Sequence, residues 1–521
     1  MRNLKSISTL ALATAISATL MLSGCGKKDK AASPKSVEKA VKNIEKVEVR
    51  KVSEAQAKQA LSAACLGESG ESAFSWKNRD GEAGTYTFSG VTAADAGDAM
   101  NMGSLELAGM RMEGDLVAFD KIVFNDTKVN DGETVFSAGK VSLMNPSPVL
   151  ANAFAQLLCG DDDAFENLSG DISFGGFTMG DITFKADEGT GSIASFVVGR
   201  ETDKTGMLSL KEMKFNVQEG GDDVSMNIGS MDMTGLNMEK YGDFFAEAFK
   251  SGFNGTDITQ ELADKVSASM NPYDPDYKHV SMKDFNVSVE GMTMNFDSYV
   301  ADMEKKGSKV ISTQKMTPFT VKFDKNASGE IAEMASTLKE FGYDELEFTM
   351  GGTTILDEKN DTMSTEDTYF AMKDGFKLSV DMEMANFKKF MTHYNSMQLT
   401  DNTSTNASLD MLGAMDFTDL TLSFKDESII DKSFAFAAKS EGGSVAEIKS
   451  QAKMGLAMMS MMAQDEAQQK LATDASTALT KLIDDGGTLV VRMQPKKGFS
   501  FADAIDGDID VAKMGLSIET K

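Results

Sequence analysis

From Ser72 onward, apolar and polar residues alternate in short runs, and each run is closed by Gly, Asn or Asp. Thr85-Tyr86-Thr87-Phe88, Ser104-Leu105-Glu106-Leu107, Ala118 to Phe124 and Lys140-Val141-Ser142-Leu143 all have this form. Alternation with period two puts every second side chain on one face of a strand. Strands of this kind pair antiparallel, with one face in a core and the other in water. The expected fold class is therefore a β-rich α+β protein. Such a sheet needs a cover over its apolar face. Amphipathic helical patterns supply candidates at Pro34 to Leu66, Pro148 to Cys159, Ser298 to Lys306, around Phe387, Phe390, Met391 and Tyr394, and from Val445 to Asp484.

A repeat is visible in the alternation. Phe119 to Asn125 matches Leu210 to Asn216 in polarity at all but one position, and 210 − 119 gives an offset of 91. Gly139 and Gly229, each ahead of a strand and then a helical pattern, are 229 − 139 = 90 apart. Gly103-Ser104-Leu105-Glu106-Leu107 echoes Gly229-Ser230-Met231-Asp232-Met233. The expectation is an extended antiparallel sheet built from units of about 90 residues, each covered by one amphipathic helix.

The N-terminus has its own pattern. Arg2 and Lys5 precede an apolar, small-residue run from Leu10 to Leu22, too short to span a membrane. The run ends in Leu22-Ser23-Gly24-Cys25. These four residues resemble the lipobox of bacterial lipoprotein precursors, over the first 25 residues only. The resemblance implies cleavage between Gly24 and Cys25 and a diacylglyceryl group on the Cys25 sulfur. It implies a mature chain anchored on a membrane and not spanning it. Gly26, where an Asp would favour retention at the inner membrane, implies sorting to the outer membrane of a Gram-negative envelope. The expected side of that membrane is the periplasmic one.

The predicted organisation is a signal peptide over 1–24, the lipidated cysteine and a tether over 25–34, and N-terminal helices over 35–70. Two β-plus-helix units follow over 71–270 and a third such region over 271–400. Strands and a long helical region fill 401–521. Thr400 to Ser408 and Asn271 to Asp276 read as linkers. Two further cysteines, Cys65 and Cys159, in an exported chain read as one disulfide.

Charge excludes one class of function. With 52 basic and 80 acidic side chains the net charge is −28, which opposes nucleic acid as a partner. Catalytic motifs are sparse. His279 and His393 sit in polar sequence and read as surface residues. Gly189-Thr190-Gly191-Ser192-Ile193-Ala194 matches a dinucleotide fingerprint in letters only and reads as a hairpin turn. Asp161-Asp162-Asp163 with Glu166, and Asp506 to Asp510, lack the ligand spacing of a calcium loop. No cofactor or metal is expected.

Methionine is the unusual residue, at 37. Met-x-Met pairs occur at Met100/Met102, Met110/Met112, Met231/Met233, Met292/Met294 and Met382/Met384, and Met454 to Ala463 is a Met-rich apolar stretch. Thioethers could hold Cu(I), but scattered pairs without histidine read as core or as an adaptable apolar surface. The expected function is a non-catalytic envelope lipoprotein, a binding or scaffold module with an apolar groove for lipid or a protein partner. Two alternatives stand beside it: a structural or adhesion-like spacer without ligand, and a hydrolase using paired carboxylates.

Overall fold

The computed structural model describes residues 34–521 except 70–73, 239–270, 392–415, 460–465, 497–510 and a few one- or two-residue gaps in loops. The signal peptide, Gly24, Cys25 and the tether therefore lie outside the described residues. So do Tyr241, Phe244, Phe245, Phe249, Tyr394, His393, the linker from Thr400, and Asp506 to Asp510. The chain divides into two compact units. Unit 1 runs to Met270 and includes Asp276–Val287; unit 2 comprises Asn271–Pro275 and Ser288–Lys521. Both are β-rich, with antiparallel sheets.

Unit 1 begins with helices α1 (Pro34–Ile44) and α2 (Glu54–Ala63). Ser53 caps α2: its side chain accepts from the Gln56 backbone N–H, as the Ser-x-x-Gln spacing leads one to expect. The sheet follows: β1 (Phe74–Ser75), β2 (Asn78–Glu82), β3 (Thr85–Asp95), β4 (Asp98–Ala108), β5 (Arg111–Glu113), β6 (Leu116–Ala118), β7 (Lys121–Asn130) and β8 (Val135–Met144). Helix α3 (Pro148–Cys159) intervenes, capped by Ser147 and ended by Gly160 in the left-handed region. Then come β9 (Gly176–Ala186), β10 (Gly189–Arg200), β11 (Thr205–Glu219), β12 (Asp222–Asn237) and β13 (His279–Val289). Strands β3, β4 and β7 to β12 pair in that order, every pair antiparallel. A disulfide joins Cys65, just past α2, to Cys159 at the end of α3, with Cα atoms 5.1 Å apart.

The unit 1 core is set by that register. Tyr86, Leu107, Ile122, Leu143, Phe177, Val198, Leu208 and Met233 stand opposite one another on successive strands as one transverse row, and all are buried. A second row, from Phe88 and Leu105 to Leu210 and Met231, lies beside it. Helix α1 adds Val37 and Ile44 against Met144, Val197 and Met207.

Unit 1 also has a device invisible in any single strand. After the second row, the next buried residue on each strand comes three positions along and not two. The step runs from Phe88 to Val91, Leu105 to Met102, Met179 to Ile182, Phe196 to Ile193, Leu210 to Met213 and Met231 to Ile228. The register between neighbours is unbroken across this step, because every strand carries the extra residue. On every second strand the extra position has positive φ: Gly90 at 61°, Asp126 at 51°, Asp181 at 51°, Glu212 at 50° and Asp284 at 53°. The strands between carry Gly103, Gly139, Ala194 and Gly229 at that level. A Cβ on Gly103 would come within 2.8 Å of the Asp126 carboxylate, and one on Gly229 within 2.7 Å of Asp284. A line of left-handed residues alternating with small ones thus crosses nine strands, β3, β4 and β7 to β13.

Unit 2 continues with β14 (Met292–Lys306), β15 (Lys309–Phe323), α4 (Gly329–Glu340), β16 (Glu345–Asp357), β17 (Thr362–Met372), β18 (Phe376–Ala385) and β19 (Asp416–Asp426). Helices α5 (Ile429–Glu441), α6 (Val445–Met459) and α7 (Glu466–Asp485) precede β20 (Thr488–Met493), the short α8 (Val511–Met514) and β21 (Leu516–Thr520). Strands β14 to β21 pair antiparallel in chain order.

Several expectations are corrected. Ser298 to Lys306 is strand, part of β14, because Tyr299, Ala301 and Met303 alternate into the β15 register. Gly189 to Ala194 is the start of β10 and not a turn; Gly191 is there because the Phe184 ring lies where its Cβ would be. Leu420 to Ala438, whose sequence reads as strand, divides between β19 and helix α5. Residue His279 is buried in β13, at 5% exposure, and not on the surface.

Candidate functional site

The strands of unit 2 alternate as cleanly as those of unit 1, and the register sorts their side chains onto two faces. One face is polar. Lys373 pairs with Glu347 at 2.8 Å, Lys322 with Glu345 at 3.0 Å and Arg492 with Glu519 at 2.7 Å. Lys377 lies 4.7 Å from the centre of the Tyr369 ring on that side. These are solvent-side contacts of small energy, and their value here is that they fix which way each strand faces.

The other face is apolar. Tyr299, Met316, Met350, Phe370, Leu378, Phe424 and Leu489 stand opposite one another on β14 to β20, and Thr520 on β21 ends the row. Beside it run Phe319, Phe348, Met372 and Phe376. Adjacent rings touch: Phe348 and Phe370 stack at 5.4 Å, Phe370 and Phe376 lie at 6.0 Å, and Phe376 and Phe424 stack at 5.7 Å. Edge and offset ring contacts of this kind add to area burial. At about 4.8 Å per strand, the eight-strand row is about 34 Å long.

This face is open. Met316, Phe319, Phe348, Met350, Phe376, Leu378, Leu422 and Phe424 are each only half-buried, and Phe370 is 39% exposed. On the face, Met372 is buried. Helix α7 reaches the last two strands, where the Thr520 hydroxyl donates to the Ala478 carbonyl at 2.6 Å. Helices α5, α6 and α7 otherwise pack on one another, and α5 stacks Phe436 on Phe341 at 4.2 Å. Contiguous apolar patches of this size on protein surfaces are features of protein, membrane or ligand contact sites.

One end of unit 2 is closed tightly. Tyr273 is fully buried with Met384 and Phe387. Its hydroxyl donates to Asp361 Oδ1 at 2.8 Å, and the same oxygen accepts from the Lys388 backbone N–H at 3.0 Å. Burial, and then the Asp361 carboxylate, hold the Tyr273 phenol above its ordinary pKa. A phenol so held stays protonated near neutrality.

The residues singled out from the sequence separate by unit. Met100, Met102, Met231 and Met233 are buried in unit 1, and Cys65 and Cys159 form the disulfide there. Met292 and Met294 lie half-exposed on β14 in unit 2. Met382 is half-exposed, whereas Met384 is buried against Tyr273. Asp161 Oδ1 accepts from the Asp163 N–H at 3.1 Å; Asp162 and Glu166 lie outside the described residues. Among the described residues no group of His, Cys, Asp or Glu could hold a metal ion, and no helix is long and apolar enough to cross a membrane. The phenylalanine row is not visible in the sequence, because Phe319, Phe348, Phe370, Phe376 and Phe424 are brought together only by the register of five strands.

Residues 369–519, which include β18 to β20 and most of this face's second half, match a family model described only as an uncharacterized protein. No curated protein matches the chain.

Proposed function

We propose that this protein is a non-catalytic binding lipoprotein of the bacterial envelope, held at the outer membrane through Cys25, which carries acyl chains on the open face of unit 2. One observation carries the reading: a sheet face of Phe, Met and Leu that spans six strands, β15 to β20, and is mostly half-exposed. Lipid is the occupant proposed here. The rows named above hold no charged side chain, with Asp426 standing opposite Phe376 at the end of the second row, and acyl chains need only apolar area. Met and Phe suit ligands without a fixed shape. The hydrocarbon core of a bilayer is about 30 Å thick, so a single extended acyl chain is shorter than the row. The finer division of the sheet into helix-covered units of about 90 residues belongs to the same proposal. Its support is that Gly139 and Gly229 occupy one level of unit 1, four strands apart.

The test is native mass spectrometry, with organic extraction, of residues 26–521 produced in a bacterial periplasm. Co-purifying phospholipid or fatty acid, lost in Phe348→Asp and Phe370→Asp variants that still fold, is the expected result. A clean unliganded mass that takes up no added lipid would favour the ligand-free spacer.

A further inference from the structure

Methionine runs along the whole chain, and two sets of it differ in exposure: those of the unit 1 core are buried and those on the unit 2 face are half-exposed, while Met112 and Met226 of unit 1 are half-buried too. In unit 1, Met102, Met179, Met207, Met213, Met231 and Met233 are each at most 4% exposed. In unit 2, Met292, Met294, Met316 and Met350 are half-exposed on β14, β15 and β16. Packing does not demand a thioether there, since the same face uses leucine at Leu346, Leu378 and Leu422. What methionine adds to leucine is a sulfur that takes up oxygen reversibly.

We infer that Met292, Met294, Met316 and Met350 form a reversible oxidation site that switches the unit 2 face from apolar to polar, an inference that rests on the acyl-binding reading above. The co-reactant is a two-electron oxidant of the hypochlorous acid class. The sulfur lone pair takes Cl⁺ from hypochlorous acid and hydroxide is released. Water then adds at sulfur, chloride leaves, and two protons are lost, one of which neutralises the hydroxide. Sulfur loses two electrons and chlorine gains them. In the reverse step a dithiol supplies two electrons and two protons, the sulfoxide oxygen leaves as water, and a disulfide forms. The sulfoxide is a strong hydrogen-bond acceptor where an acyl chain would otherwise lie, and an acyl chain offers it no donor. The core of unit 1 keeps its packing through this cycle, because Met207, Met231 and Met233 are shielded from the oxidant.

The experiment uses the full chain, treated stepwise with hypochlorous acid and quenched with free methionine. Peptide mass spectrometry reads the one-oxygen gain at each methionine, and equilibrium binding of radiolabelled oleate reads the face. The expected result is at least tenfold faster oxidation of Met292, Met294, Met316 and Met350 than of Met207, Met231 and Met233. Oleate affinity should fall at least tenfold and return after treatment with methionine sulfoxide reductase and a dithiol. The Met292→Leu, Met294→Leu, Met316→Leu, Met350→Leu variant should bind oleate before and after the oxidant alike. Equal oxidation in the two units, or equal oleate binding by reduced and oxidised protein, overturns the switch. A reduced protein that takes up no oleate overturns the acyl-binding reading together with the switch, and is thereby distinguished from failure of the switch alone.

Discussion

Units 1 and 2 are made by the same rule and finished differently. Each has apolar rows running across successive antiparallel strands. In unit 1 the row from Tyr86 to Met233 is buried throughout. In unit 2 the row from Tyr299 to Leu489 stays half-exposed, with Phe370 at 39%. The strands differ as well. Unit 1 takes up most of its extra residues along one line with the register kept, and breaks register between Gly206 and Met207, while unit 2 breaks register at several separate points, between Met316 and Phe319, Gly351 and Thr353, and Thr365 and Thr368. A sheet that is only a core and a sheet that is also a surface can thus share one pattern of residues. Exposure, and not hydrophobicity, separates them.

The sharpest way to break this comparison is to place a charge in equivalent rows. Leu105→Asp buries an unpaired carboxylate and should cost more than about 4 kcal/mol, enough to unfold unit 1. Phe348→Asp leaves its carboxylate in reach of water and should cost less than about 1.5 kcal/mol. Trp76, the single tryptophan of the chain, lies 5.0 Å from Phe88 and reports on unit 1 by fluorescence during urea denaturation, while far-UV circular dichroism of the same titration reads the loss in unit 2. Equal losses from the two substitutions would mean that the unit 2 face is as closed as the unit 1 core.

The disulfide offers the next largest effect. It closes a separation of 94 residues within unit 1, worth about 4 kcal/mol in the chain-entropy account. Replacing both Cys65 and Cys159 with serine should lower the Trp76 urea midpoint and leave acyl binding by unit 2 unchanged. Loss of binding in that variant would show that the two units depend on one another.

The line of left-handed residues predicts a smaller effect. A Cβ on Gly139 would lie 3.0 Å from Asp181 Cβ and Oδ2, so Gly139→Val should cost about 1–3 kcal/mol. Asp181→Gly removes both the crowding and a left-handed non-glycine residue, and should by itself be neutral or stabilising by up to about 1 kcal/mol. When the two substitutions are combined, the cost of Gly139→Val should shrink by more than half, measured as a double-mutant cycle. Additive effects would mean that the line is not held by this contact.

How much of this could be read from the sequence follows from its reach. Alternation is a local property, so the strand class is legible from Thr85 to Leu143. The echo of Gly139 in Gly229, and of Gly103-Ser104 in Gly229-Ser230, is legible too, and all three glycines stand on the one transverse line. The line itself is not, because the extra residue breaks period two within each strand and only the register shows that all strands break together. Ser298 to Lys306 reads as helix because Tyr299 and Met303, four apart, fit a helical stripe as well as Tyr299, Ala301 and Met303 fit a strand. The open face is illegible for another reason. Phe348 in unit 2 and Phe88 in unit 1 sit in the same alternating pattern, and nothing within a strand says whether a helix covers it.

The smallest prediction concerns a feature the units share. Each has a helix-start carboxylate held below the ordinary glutamate pKa. Glu54, at the start of α2, accepts from the Ala83 backbone N–H at 2.8 Å, which is the main cause of its shift. Glu447, in the first turn of α6, accepts from the Ser444 N–H at 2.8 Å and from its hydroxyl at 2.9 Å, the backbone bond leading. A carboxyl with a lowered folded pKa contributes stability that is present above its unfolded value and lost as pH falls through the folded value. The sign is therefore the same in both units: urea midpoints should fall as pH drops below about 4.5. Glu54→Gln and Glu447→Gln should each flatten that acid limb while moving the neutral-pH midpoint slightly. The difference lies in what the bond joins. The Ser444–Glu447 bond is local to its helix start, whereas the Glu54–Ala83 bond ties α2 to the turn between β2 and β3, so only Glu54→Gln should register at Trp76. A Trp76 signal indifferent to Glu54→Gln would make both carboxylates simple caps and remove this last difference between the units.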